Sequence, residues 1–149
     1  MQMQRLLTSV IAGLLAGWIS SALPVTAQSD EDAVKKVLEN AAEAFNAQDL
    51  TRFLSHFSDD AVIESRSAGG KVNKAKYADS VKQLFASGRA NRTLYRDLKV
   101  SFPDPARAVV EGGQYNWDPR TGAQRLGSRY QWKIEKRDGN WLIVETAYK

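Results

Sequence analysis

The sequence predicts an α+β domain in which three helices precede a meander of four long antiparallel strands. Two changes of period carry this reading. Between residues 30 and 88 apolar side chains recur at steps of three and four, as on a helix with one buried face; beyond Gly88 they alternate, as on a strand between core and water. At 149 residues, 43% hydrophobic and 26% charged, the chain has the balance of one globular domain. Four Trp, five Tyr and five Phe supply enough bulk to offset the entropy lost on folding. With no cysteine the chain has no disulfide, thiolate metal site or cysteine nucleophile, and one histidine, His56, leaves few routes to zinc or a Ser-His-Asp arrangement.

The elements follow in order. Residues 1–27 hold Arg5, an apolar run from Leu6 to Leu23, and the ending Val25-Thr26-Ala27, which reads as a secretory signal peptide cleaved before Gln28. The domain would then span 28–149, exported to a periplasmic or extracellular location, with no stable membrane anchor after cleavage. Ser29 with Asp32 resembles a capping box, so the first helix is expected to start near residue 30 and to bury Val34, Val37, Leu38, Ala41, Ala44 and Phe45. Asp49 caps a second helix carrying Leu50, Phe53, Leu54 and Phe57, and Ser58-Asp59-Asp60 ends it. Residues 61–64 read as a short strand and Gly69-Gly70 as a loop; Asn73 caps a third helix through Tyr77, Val81, Leu84 and Phe85. Strands are expected over residues 94–102, 106–117, 124–137 and 140–149, the last two joined at Asp138-Gly139, a strong two-residue hairpin signal.

Charge divides unevenly. From Gln28 to Glu64 acidic residues outnumber basic ones nine to three, whereas from Ser65 to Lys149 basic residues lead seventeen to eight. The positive charges are spread over strands without an aromatic recognition motif, so no nucleic-acid partner is expected. Asp59-Asp60 lacks further acids at calcium-loop spacing, Gly69-Gly70-Lys71 lacks phosphate-loop spacing, and Asn91-Arg92-Thr93 matches a glycosylation acceptor. No metal or tightly held cofactor is expected.

The string Ala44-Phe45-Asn46-Ala47-Gln48-Asp49-Leu50, then Phe57 to Val62, with Trp132-Lys133-Ile134 leading to Gly139-Asn140-Trp141, resembles the NTF2-like superfamily, in particular its SnoaL-like domains. The resemblance implies a cone of strongly curved, mainly antiparallel sheet around a pocket closed by three N-terminal helices, and dimerisation through the sheet. It spans ketosteroid isomerases, polyketide cyclases, epoxide hydrolases and noncatalytic binders, so fold alone does not select a function. Matched to the isomerase, Ser65 stands where the general-base Asp is expected, Ala41 where the oxyanion-hole Tyr is, and Gln131 where the protonated Asp is. Ketosteroid isomerisation is therefore not expected.

Strand pairing from Asp138-Gly139 places Tyr130, Trp132, Ile134, Trp141, Ile143, Glu145 and Ala147 on one face, and Arg129, Gln131, Lys133, Leu142, Val144, Thr146 and Tyr148 on the other. Periodicity favours the first face as core, but the resemblance puts Gln131, and with it the second face, inside the cone. Outward indoles would then favour a sheet-to-sheet homodimer. Pairing Trp117 near Ala123 sets Glu111 opposite Arg129. The expected ligand site is thus Glu111, Arg129, Gln131, Tyr115, Val144, Thr146 and Tyr148, taking a small apolar or amphipathic molecule with one polar anchor. Glu111 is the candidate catalytic carboxylate if the domain is an enzyme, with Arg129 and Tyr115 beside it; a dimerisation scaffold is the third reading.

Overall fold

The computed structural model describes residues 25–149. Helix α1 (Val25–Asn46) buries Val34, Leu38, Ala41 and Ala44, the face picked out by the sequence period. It starts ahead of the expected Ser29 cap because nothing in residues 25–28 interrupts a helix, and Gln28 Nε2 donates to Asp32 Oδ1 at 3.2 Å, one turn on. The signal-peptide reading lies almost wholly outside the described residues. Among those described, no helix is long and apolar enough to cross a membrane.

Gln48, at φ 56°, ends α1 in the left-handed region, and Asp49 caps the short helix α2 (Leu50–Leu54) by accepting the Arg52 N–H at 3.0 Å. Phe57 does not extend this helix. It opens β1 (Phe57–Ser65), which also absorbs the Ser58-Asp59-Asp60 expected to be punctuation. Lys74 Nζ meets Asp59 at 3.0 Å and Arg137 Nη1 meets Asp60 at 2.6 Å, offsetting carboxylate repulsion in an extended segment. Gly69 and Gly70, at φ 84° and 120°, turn the chain into β2 (Gly70–Asn73), where only a loop was expected. Asn73 caps α3 (Lys74–Ala86) as expected, its side chain accepting the Lys76 N–H at 2.9 Å.

The remaining strands, β3 (Arg92–Asp104), β4 (Arg107–Trp117), β5 (Gln124–Arg137) and β6 (Asn140–Tyr148), lie where alternation places them. They form one curved sheet in the order β2-β1-β6-β5-β4-β3, with only β1 and β6 parallel. Asp138 and Gly139, at φ 50° and 79°, make the type I′ turn that pairs Arg137 with Asn140.

Single-residue bulges break the alternation in β3, β5 and β6. Val144 has no partner between the pairs Ile134–Ile143 and Lys133–Glu145. Gly127 is extra between Gln114–Ser128 and Tyr115–Leu126, and β3 gains a residue near Asp97, at φ 57°. Each bulge bends its strand and reverses which face the following side chains occupy. The inner face therefore carries Trp132, Ile134, Trp141 and Ile143, all under 9% exposed, and after the bulge Thr146 and Tyr148.

This overturns the expected facing. The indoles of Trp132 and Trp141 pack inward, and Gln131, Lys133, Glu145 and Glu111 lie on the outer face, Lys133 bonded to Glu145 at 2.7 Å. Burying the aromatic face removes more apolar area from water than burying the charged one, which is why periodicity prevails. The Trp132 and Trp141 indoles, from which a sheet-to-sheet homodimer was expected, are accordingly not on the outer surface.

Gly112 is required by the β3 bulge. A Cβ at this position would stand 2.6 Å from Leu98 Cδ2 and 2.9 Å from the Arg96 carbonyl oxygen. Gly112→Ala should destabilise the fold by about 1–3 kcal/mol, read as a lower thermal midpoint; an unchanged midpoint would contradict the bulge as described.

Candidate ligand cavity

The inner face of the sheet and helices α1–α3 enclose a cavity of about 270 Å³. Its size lies just under the range of roughly 300–1,000 Å³ usual for pockets holding drug-sized ligands, so it suits a small ring system. The floor is apolar and comes from the helical layer and the start of β1: Phe45 packs on Phe53 at 5.4 Å between ring centroids, Phe53 on Phe57 at 5.2 Å, and Val81 and Leu84 of α3 close the side. The opposite wall is a run of rings on three strands. Tyr95 meets Trp132 edge-on at 5.1 Å, Trp132 stacks with Tyr130 at 5.5 Å, and Tyr130 meets Tyr148 at 4.6 Å.

Side chains hold the mouth open where the backbone ladder ends. Beyond the Ile63–Thr146 pair, β1 and β6 are linked by Thr146 Oγ1 accepting the Glu64 N–H at 3.2 Å, Glu64 Oε2 accepting the Tyr148 N–H at 2.9 Å, and the Tyr148 hydroxyl accepting the Arg66 N–H at 3.0 Å. On the far side, Asn46 at the end of α1 bonds both backbone groups of Thr93, at 2.8 and 2.7 Å, and Gln114 Nε2 reaches Thr93 Oγ1 at 3.5 Å. These bonds fix Thr93 and Gln114 at the cavity wall.

Burial raises the pKa of Tyr95 to about 12 and lifts Tyr77 and Tyr130 further above the ordinary phenol value. The cavity is thus lined by neutral hydroxyls that can donate to a carbonyl, ether or hydroxyl oxygen. Glu64 is the only carboxylate among its lining residues. Ser65, at the position of the isomerase base, lines the cavity, but its hydroxyl meets Ser67 Oγ at 3.0 Å, which in turn meets Ser80 Oγ at 2.8 Å. Among the described residues no His or carboxylate joins these hydroxyls to activate Ser65. His56 lies outside the cavity, where burial and then Arg52 hold its pKa below the ordinary value. Among the described residues no group of three or more His, Asp or Glu gathers as metal ligands would.

Of the seven expected site residues, Thr146 and Tyr148 line this cavity and the others do not. Glu111 pairs with Gln131 rather than Arg129, because Trp117 pairs with Gln124, one residue beyond the expected register, and the Gly127 bulge adds a second step. On the outer face Glu111 accepts from Lys149 and from Gln131 Nε2, and these bonds hold its pKa below the usual carboxylate value. Arg129 is exposed opposite Gly113, and the Tyr115 hydroxyl donates to Asp97 Oδ2 at 2.9 Å across the outer side of the β3 bulge. Val144 is the bulge itself. Of the cavity residues that sequence reasoning missed, Tyr77, Tyr130 and Trp132 were visible as apolar periodicity, and weighing that periodicity above the matched isomerase position would have found the last two; Tyr95 alternates with Leu98 and Val100 in the sequence and shares their face only because of the bulge near Asp97.

A curved six-stranded sheet closed by helices around a cavity defines the NTF2-like α+β cone. Residues 26–147 match the family model described as SnoaL-like domain, and the chain belongs to that family. Solved structures share the fold at low identity. An NTF2-like protein of unknown function from Shewanella oneidensis is 15% identical, with a TM-score of 0.66 over 80% of this chain and 98% of its own. A candidate scytalone dehydratase from Novosphingobium aromaticivorans is 12% identical, with a TM-score of 0.68 over 83% and 85%. A Nostoc punctiforme protein of unknown function with a cystatin-like fold is 11% identical, with a TM-score of 0.70 over 80% and 90%. No curated protein matches the chain.

The buried phenols have a pH signature. Their folded pKa values exceed the unfolded value of about 10, so the stability tied to them is complete below pH 10 and is lost as pH rises beyond it. Tyrosinate absorbance at 295 nm should gain part of its amplitude only as near-ultraviolet circular dichroism collapses. Complete ionisation near pH 10 with the fold intact would contradict the buried placement.

Proposed function

We propose that the domain binds a small, ring-containing molecule in this cavity, the rings seated on Phe45, Phe53 and Trp132 and an oxygen acceptor facing the tyrosine hydroxyls. The observation that carries the reading is an open chamber whose apolar walls converge with neutral donors and whose serine lacks an activating base. A vestigial scaffold would instead fill its core with side chains. Export from the cytoplasm remains part of the proposal on the pattern of residues 1–27. A second reading, an enzyme of the hydrolase, cyclase or isomerase type, draws on Glu64 as the carboxylate at the mouth. Glu111 is exposed and ion-paired on the outer face, away from the cavity.

The uncharged fluorescent probe N-phenyl-1-naphthylamine tests the binding reading. It should bind with enhanced emission, and Leu84→Trp, which fills the chamber from α3, should weaken binding about tenfold or more while the circular dichroism spectrum is retained. Unaltered affinity in that variant would place the probe elsewhere and reject the cavity as its site.

A further inference from the structure

We infer that the molecule taken by the cavity carries an acidic group, held outside the chamber in an arginine-lined groove at the open end of the sheet. The inference rests on the cavity reading above and names the class of ligand more closely. The groove lies between the start of β3 and the β4–β5 turn and is lined by Arg92, Arg120 and Arg125, with Asp118 its only acid. Asn116 lines both the groove and the cavity. A ring seated in the chamber and a substituent in the groove can therefore belong to one small molecule.

Arg120 has Asp118 within 3.6 Å, whereas Arg92 and Arg125 form no ion pair among the described residues. The Arg92 guanidinium lies 5.1 Å from the centroid of the Trp117 ring, directly across the β3–β4 pair. Stacking on an indole limits its rotation while leaving N–H edges free, which suits the planar fork to a carboxylate, sulfonate or phosphate oxygen pair. Arg125 pairs in register with Asn116 of the cavity wall, whereas Arg92 and Trp117 pair on the opposite face from Thr93 and Asn116 and line the groove from the outer side of the strand ends. Arg125 thus flanks a residue that a chamber-bound molecule would touch, and Arg92 reaches the groove at its far side. The cavity lining itself has one cation, Arg66, whose guanidinium covers the Tyr148 ring at 4.7 Å.

The test compares N-phenyl-1-naphthylamine with 8-anilinonaphthalene-1-sulfonate, which has the same rings plus one sulfonate, by fluorescence titration of the whole domain. The sulfonate should bind about tenfold more tightly at low salt. The Arg92→Ala/Arg125→Ala variant should lose about that tenfold for the sulfonate and leave the uncharged probe unchanged. A charge-matched variant of the outer face, Arg129→Ala/Lys133→Ala, should alter neither. Equal affinity for the two probes, an equal loss in the outer-face variant, or a loss confined to Arg66→Ala would overturn the groove assignment while leaving cavity binding intact. If neither probe binds, or if Leu84→Trp affects neither, the cavity reading fails and this inference fails with it.

Discussion

Between the pairs Ile134–Ile143 and Lys133–Glu145 the last two strands fall out of step by one residue, and the cavity depends on that step. Without it, the strand that buries Trp141 and Ile143 would go on to bury Glu145 and Ala147. With Val144 left unpaired, Thr146 and Tyr148 turn inward instead, beside Trp132 and Tyr130. A carboxylate is thereby kept in water, where it costs little, and a phenol is placed where it can donate. The bulges in β3 and β5 act in the same sense. The first lets Tyr95 face the chamber while Leu98, Val100 and Phe102 pack farther along the same strand; the second turns Leu126 out and Ser128 in. Bulges also add twist, so one feature both curves the sheet into a cone and selects its lining.

The chemistry of the chamber follows from burial. Phenols surrounded by rings and aliphatic side chains resist ionisation, so across the physiological range they act as donors and not as bases. Apolar rings opposite them favour a flat ligand, and the modest volume favours a small one. The charged groups of the outer sheet face neutralise one another in water, as Lys133 with Glu145 and Lys149 with Glu111 do. Such exposed pairs contribute little to stability, and nothing about them points to catalysis.

Much of the fold was legible in the sequence because it is written in local signals. The caps at Asp49 and Asn73, the Asp138-Gly139 turn, and the change of period after Gly88 each act over a few residues and each has its counterpart in the structure. What was not legible depends on partners far away in the chain. Asp59 and Asp60 look like turn residues until Lys74 and Arg137 arrive beside them, and the strand β2 exists only because β1 offers it an edge. The pairing and facing of the expected site residues were also beyond local signals. A bulge leaves no clear mark in the residues that form it, so Glu111 and Arg129 were set opposite each other, while the match of Gln131 to the isomerase position turned both inward; Thr146 and Tyr148 were placed in the cavity although the face assigned to them was not the one that is buried. Alternation of Tyr130, Trp132 and Ile134 carried the correct facing, and the burial free energy of three large side chains outweighs a single matched polar position.

The central claim is that the aromatic inner wall, and not the charged outer face, receives the ligand. An amide and indole NMR titration of isotope-labelled domain with N-phenyl-1-naphthylamine reads this directly. The account predicts shifts at Tyr95, Tyr130, the Trp132 indole and Thr146, with Glu111, Lys133 and Glu145 unmoved. Shifts confined to those three outer residues and their neighbours would contradict it.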